Sequence, residues 1–144
     1  ENMSQVPYML RHARQGGYHY GNGTLEDGAL QDGLWDPHGN CHMGSCADRT
    51  ACEMGIARDE QDKYAISSYR RAADAWQRGA FDGEVVPVRV SGDRKQSEIF
   101  SIDEEYSRLR VEAVASMQPV FEKGGTITAA SASSLNDGAA AVVL

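Results

Sequence analysis

Hydrophobic positions in this chain keep a sustained helical spacing in one stretch and lose it in most others. Between Arg58 and Arg78, the residues Ala65, Tyr69, Ala72 and Trp76 recur at intervals of four, three and four, which is one face of an α-helix. Asp59, Glu60 and Asp62 crowd its first turn and Gly79 follows its end, as the helix dipole and capping preferences ask. A second helix is predicted to start near Ser45, because Ser45 and Asp48 have capping-box spacing and Gly55 can close the helix in the left-handed conformation. Residues 25–36 suggest a short helix carrying Leu30 and Leu34 and ending at Asp36-Pro37. Val111 to Met117 suggests another, stopped by Pro119.

The remaining pattern is strand and loop. Glu84 to Val90 reads as a strand placed at an edge by Pro87, Gly92 to Gln96 as a turn, and Ser97 to Ile102 as the hairpin partner. Thr126-Ile127-Thr128 reads as a further strand and Ala129 to Leu135 as a loop of small residues. Residues 1–24 are rich in Tyr, Gly, Arg and His without periodicity, and Gly16 to Gly23 reads as a hairpin or extended loop. Its glycines are no nucleotide-binding fingerprint, since no strand precedes them and no helix follows directly. After the turn signal Asn136-Asp137-Gly138, the run Ala139 to Leu144 is entirely apolar, the pattern of a strand buried on both faces. The preceding residues offer too few strands to flank it, so the chain is expected to be a piece of a longer polypeptide.

Composition narrows the partners. With 41% hydrophobic and 24% charged residues the chain is globular in character. Fourteen Lys+Arg against 21 Asp+Glu leave a net charge of −7, which argues against broad phosphate-backbone binding, so no nucleic acid partner is expected. Within that balance Arg108, Arg110, Arg70 and Arg71 are the candidates for gripping one anionic ligand. No apolar run approaches the ~18 residues of a membrane span, so no membrane partner is expected either. No secretory signal opens the chain, so the glycosylation sequons Asn2-Met3-Ser4 and Asn22-Gly23-Thr24 carry little weight.

Cys41, Cys46 and Cys52 are odd in number and bunched, which is a poor disulfide framework and suits a reducing compartment. Their spacing is not that of the tight pairs in structural zinc sites, and burial is the reading it favours. Cys41 beside His42 is also a poor nucleophile and base, because adjacent side chains point apart. His42-Met43-Gly44 before a helix either lines a pocket mouth or packs as a loop. In Ala129-Ala130-Ser131-Ala132-Ser133 the side chains are so small that backbone carbonyls could approach a ligand or monovalent cation, and Ser133 could bond an amide-bearing ligand. The same residues equally suit a tight packed turn.

An ordered set of segments carries a resemblance. They are Glu1-Asn2-Met3-Ser4 through Pro7-Tyr8, Asp32-Gly33-Leu34, His42-Met43-Gly44-Ser45-Cys46-Ala47 and Glu60-Gln61-Asp62. Asp103-Glu104-Glu105-Tyr106, Thr126-Ile127-Thr128-Ala129-Ala130 and Asn136-Asp137-Gly138-Ala139-Ala140-Ala141 complete the set. Together they resemble the thiolase family, most closely its acetoacetyl-CoA thiolases (acetyl-CoA C-acetyltransferases), over essentially the whole chain.

The resemblance implies an α/β, mixed α+β partial fold. Residues 1–128 would be a thiolase loop domain, inserted in the N-terminal half of a two-fold repeated βαβαβαββ core, and residues 129–144 the return into that core. Residues 8–30 would hold the tetramerisation and cationic loops, so a homotetramer is implied. Coenzyme A contacts are implied at Tyr69, Arg108, Leu109, Arg110 and Ser133, with Phe121 against the pantetheine arm. His42 and Met43 would shape a pocket for a short acyl group. Tyr69 with the carbonyls of Ala129, Ala130 and Ala132 would match a potassium site of mitochondrial-type members. Tyr69 and the Asp103 to Tyr106 segment lean the same way on location, with cytosol or peroxisome as alternatives.

The chain also departs from the family. Ser131 stands where an asparagine is usual, and Arg110 and Ala113 replace usually acidic and basic residues, which implies a redistributed phosphate grip; the Gly16 to Gly23 loop is unusual as well. The family's acyl-accepting cysteine lies before this segment, and its GHP histidine, CxG cysteine and NEAF asparagine lie after it. The implied reaction, reversible condensation of two acetyl-CoA to acetoacetyl-CoA and CoA through an acetyl-cysteine, therefore belongs to a longer parent, and these residues alone are expected to be inactive. Two other readings compete. A longer-chain 3-ketoacyl-CoA thiolase is opposed by His42-Met43, and a non-catalytic CoA-binding or assembly module is opposed by the orphan apolar run.

Overall fold

Helix α1 (Met43–Glu53) and helix α2 (Arg58–Gln77) are the two long elements of the computed structural model, which describes residues 1–14, 16–91 and 97–144. Helix α2 begins at Arg58 as its sequence predicts. Glu60 reaches back to accept from the Ala57 amide at 3.0 Å, and Arg58 pairs with Asp62 at 2.9 Å. Of the predicted apolar stripe, Ala65 is buried while Tyr69, Ala72 and Trp76 are half-buried, because that face borders a cleft.

Helix α1 starts three residues earlier than its capping box suggests. The cap is His42, whose Nδ1 accepts from the Gly44 amide at 3.0 Å. Gly55 closes it at φ +67, with Ile56 N donating to the Ala51 carbonyl at 2.8 Å and Gly55 N to Cys52 at 3.2 Å, a Schellman ending. Asp48 does not cap; it is buried and turned toward a distant segment. Its Oδ1 accepts from Thr126 N at 2.5 Å, Ile127 N at 3.0 Å and Thr126 Oγ1 at 3.2 Å. Those bonds explain why Thr126-Ile127-Thr128 is not the predicted strand: amides a ladder would need are taken by a side chain.

Among the described residues, three antiparallel ribbons accompany the helices. Strand β1 (Tyr8–Leu10) pairs with β2 (Leu25–Asp27), Tyr8 facing Asp27 and Leu10 facing Leu25, and the Gly16 to Gly23 segment lies in the connection between them. The helix predicted for residues 25–36 is thereby split. Asp27 Oδ1 accepts from Ala29 N at 2.9 Å, starting a π-helical turn at Leu30–Leu34 only after the strand has ended. Strand β3 (Trp35–Asp36) then pairs with β4 (Cys41–His42). Strand β5 (Val88–Ser91) pairs with β6 (Ser97–Phe100), the hairpin the sequence predicts, starting just past Pro87. The predicted turn Gly92 to Gln96 lies outside the described residues.

Helix α3 (Val111–Val114) is shorter than the predicted Val111 to Met117. The Arg58 guanidinium accounts for the early end, because its Nη2 donates to the Val114 and Met117 carbonyls at 3.0 and 2.8 Å. Buried side chains come from α1 (Asp48, Ala51), α2 (Ala65, Ala75), α3 (Val114) and the loop holding Thr128 and Ala130. Ala139 to Leu144 does not form its predicted strand and is exposed, with no sheet neighbour among the described residues. The turn before it is clasped, however: Ser4 N and Oγ donate to Asp137 at 2.8 and 2.6 Å. No helix among the described residues is long and apolar enough to cross a membrane.

Candidate functional site

Along the half-buried face of α2 runs a cleft of about 1330 Å³. Ala65, Tyr69, Ala72 and Trp76 form one wall, and the loop through Ala130, Ala132 and Ser133 lines it as well. Trp76 anchors an aromatic cluster, with Phe81 at 5.2 Å and Tyr106 stacked at 6.0 Å between ring centroids. Sequence spacing finds the Tyr69 to Trp76 wall, but not Phe81 or Tyr106, which arrive from separate turns.

A smaller cavity of about 220 Å³ adjoins it, sharing Tyr69, Glu105, Arg108 and Ala130. Arg108, Leu109, Arg110, Tyr69, Ala129 and Ala130 all line this smaller space. The fold thus brings together residues that the sequence scatters over three segments. Arg70 and Arg71 line neither cavity; Arg71 lies over the Tyr64 ring, 5.8 Å from its centroid.

The electrostatics are mixed. Among the described residues, the larger cleft is edged by Glu60, Asp103, Glu104, Glu105 and Asp137 against the single guanidinium of Arg108. Arg108 pairs with Glu104 and lies 3.7 Å from Glu105. Tyr69 Oη donates to Glu105 Oε1 at 2.8 Å. Burial, and then the Glu105 carboxylate beside it, push the Tyr69 phenol above its ordinary value. The two acids that occupy Arg108 were not legible as site residues, because Asp103 to Tyr106 carries no periodicity to place them.

Thr128, fully buried, organises the small-residue loop. Its carbonyl accepts from Ser131 N at 3.1 Å and Ala132 N at 2.8 Å, and the Ser131 hydroxyl accepts from Thr128 N at 3.0 Å. Ser131 therefore closes the turn with its own short side chain.

His42 and Phe121 form a separate cluster that lines neither cavity. Their rings stack at 4.6 Å, and Gly44 lies so close beneath Phe121 that a Cβ there would overlap the ring. Met43 is exposed. The cysteines depart from the expected burial: Cys41 and Cys46 are half-buried and Cys52 is exposed, all three as free thiols. The Cys41 thiol and then burial raise the Cys46 thiol, while the His38 and Gly39 amides lower the Asp36 carboxyl beside it.

Comparison with known proteins places this geometry in a family. The thiolase N-terminal domain matches residues 1–144. Mitochondrial acetyl-CoA acetyltransferase of Macaca fascicularis is 50% identical over the whole chain, which covers 33% of that protein. The rat protein of the same name is 48% identical, with 34% of it covered. Among solved structures, the Acat5 thiolase of Ascaris suum in complex with coenzyme A superposes with a TM-score of 0.81 at 42% identity, over 95% of this chain and 34% of that one. The acetyl-CoA acetyltransferase of Bacillus anthracis gives 0.82 at 34% identity, over 94% of this chain and 34% of that one. The chain spans about a third of the length of these relatives, and with its N-terminal-domain match over every residue it belongs to the thiolase family.

Proposed function

We propose that these residues are the coenzyme A-binding part of an acetyl-CoA C-acetyltransferase, which reversibly condenses two acetyl-CoA into acetoacetyl-CoA and CoA. Residues 1–128 serve as the loop domain and 129–144 as the return to the core. The carrying observation is the convergence of Tyr69, Arg108, Leu109 and Arg110 on one small cavity that opens beside a larger, partly apolar cleft. Arg108 and Arg110 suit the anionic end of coenzyme A. Ser133 and the apolar wall of the larger cleft suit its amide-bearing arm; the resemblance adds Phe121 to that arm and assigns His42 and Met43 to the acyl end, in a cluster outside both cavities. The acetyl group passes from the coenzyme sulfur to a cysteine thiolate carried elsewhere in the polypeptide, releasing CoA; a second acetyl-CoA, deprotonated at its methyl carbon by a base outside these residues, then attacks that thioester and the cysteine leaves as thiolate.

A potassium ion at the Tyr69 hydroxyl and the carbonyls of Ala129, Ala130 and Ala132 belongs to the same reading. So do a homotetramer and a mitochondrial location. The tetramer draws support from the exposed Tyr8, Leu10, Tyr20 and Leu25 on and beside the β1–β2 ribbon. The location draws support from the names of the relatives.

In the complete enzyme, Arg108→Ala is expected to raise KM for coenzyme A in thiolysis about tenfold, since a bond to a charged group is worth ~1.5 kcal/mol or more. Ser133→Ala is expected to raise it less. An unchanged KM in both variants overturns the assignment.

A further inference from the structure

Asp36, Cys41 and Cys46 place one oxygen and two sulfurs within 4.8 Å of one another. Cys41 Sγ lies 3.5 Å from Cys46 Sγ, and Cys46 Sγ lies 3.6 Å from Asp36 Oδ2. Local folding dictates the meeting. Asp36 and Cys41 face each other across the β3–β4 hairpin, and Cys46 sits at the start of α1, four residues past its His42 cap. Cys41 and Cys46 thus occupy the positions before and after a cap where apolar side chains normally staple a helix start. Here both are thiols, and the third member is a carboxylate, which a packing role does not require.

Two of the three separations, sulfur to sulfur and Cys46 sulfur to Asp36 oxygen, are close to those of a coordination shell, and the third lies within 4.8 Å. With Zn–S near ~2.3 Å and Zn–O near ~2.1 Å, a tetrahedron sets two sulfurs about 3.8 Å apart and a sulfur and an oxygen about 3.6 Å apart. Neighbouring groups hold the carboxylate in place: His38 N and Gly39 N donate to Asp36 at 3.1 and 2.9 Å. A Cβ on Gly39 would sit 2.6 Å from Asp36 Oδ2 and 3.3 Å from Cys41 Sγ, so the backbone passes here only as glycine. Arg49 Nη2 lies 3.6 Å from Cys41 Sγ. Two thiolates and a carboxylate around a divalent cation leave one negative charge, which that guanidinium balances.

We propose that Asp36, Cys41 and Cys46 bind a thiophilic divalent cation of the zinc class, with the fourth position taken by water. Two sulfur ligands select against magnesium and calcium, which prefer oxygen. Binding releases the two thiol protons, and the cation braces the chain where it enters α1 through His42 and Met43. The proposal stands apart from the coenzyme reading, and its test does not involve coenzyme A.

The test is titration of the full chain with Co²⁺ under a phosphine reductant, followed by optical absorption and native mass spectrometry. One equivalent is expected to give thiolate-to-cobalt charge-transfer bands with the strong visible bands of a tetrahedral site, and Zn²⁺ is expected to displace it. Cys41→Ser should weaken binding by more than about a hundredfold, and Arg49→Ala by about tenfold, as for outer-shell partners. His38 N and Gly39 N bond separate oxygens of Asp36, so Asp36→Asn keeps an acceptor for one of them; it disturbs the hairpin less than alanine would and should still weaken binding. The absence of thiolate-to-cobalt absorption in reduced protein overturns the proposal. So does binding that survives both Cys41→Ser and Asp36→Asn, or that is lost only in Cys52→Ser.

Discussion

Asp48 and Glu105 are both carboxylates that gather donors from distant parts of the chain, yet they do opposite work. Asp48 is 8% exposed and its Oδ1 takes two amides and a hydroxyl of the Thr126–Ile127 segment. The Glu105 side chain is 47% exposed; it accepts from Tyr69 and sits beside an Arg108 that is 62% exposed. In the interior a charged acceptor is strongly constrained by its partners, and those partners would be stranded without it. At the cleft, water replaces any lost contact, so the group contributes little to folding and can exchange its partners for a ligand. Burial, more than residue type, separates the node that holds the fold from the node that can serve a site.

The largest effect follows from removing the buried node. Asp48→Ala leaves the Thr126 and Ile127 amides without their acceptor, at an expected cost of about 3 kcal/mol, read as a lower urea midpoint. Asp48→Asn keeps an oxygen and is expected to cost less. If Asp48→Ala loses no more stability than an exposed carboxylate does, the distinction between the two nodes fails.

Crowding the same node should cost somewhat less. A Cβ on Gly125 would sit 2.5 Å from Asp48 Oδ2, an atom already buried with no hydrogen-bond partner among the described residues. Gly125→Ala is therefore expected to destabilise by about 1–3 kcal/mol through overpacking. Gly83, with no heavy atom within 4 Å of its would-be Cβ, is the control. There the alanine is expected to change stability by less than about 1 kcal/mol. Equal losses at the two glycines would mean that the Asp48 carboxylate is free to move aside.

What the sequence reveals about these nodes follows from how local each is. Helix α2 and the β5–β6 hairpin were legible because periodicity, Pro87 and the glycine stops act over a few residues. Asp48 has capping spacing to Ser45, but its partners lie 78 and 79 positions away, so its buried role had no local signal. The same holds for the Arg58 guanidinium on the Val114 and Met117 carbonyls, which shortens α3. The pairing of β1 with β2 lay hidden behind Asp27, which ends a strand and starts a turn within three residues. At the candidate site, helical spacing puts Tyr69 on the cleft wall, and the family resemblance nominates Arg108, Leu109 and Arg110 beside it. The acids that now hold Arg108 emerge only when the chain folds.

The smallest effect belongs to the exposed node and tests it from the other side. Glu105→Gln is expected to change stability by less than about 1 kcal/mol, as for exposed ion pairs. It should move the titration of Tyr69 instead. The phenol is raised first by burial and then by the carboxylate, so the amide should lower its pKa while leaving it above the ordinary tyrosine value. A raised phenol contributes stability that is present below the unfolded value of 10.0 and is lost as pH rises through the folded value. Glu105→Gln should therefore shrink the loss of stability at alkaline pH. Tyrosinate absorbance, with Tyr69→Phe subtracted to isolate one phenol, reads the shift directly. A Tyr69 titration that ignores Glu105→Gln would mean that the carboxylate is already screened by water. Arg108 would then be held by Glu104 alone, and Glu104→Gln, not Glu105→Gln, would be the change that frees the guanidinium for an anionic ligand.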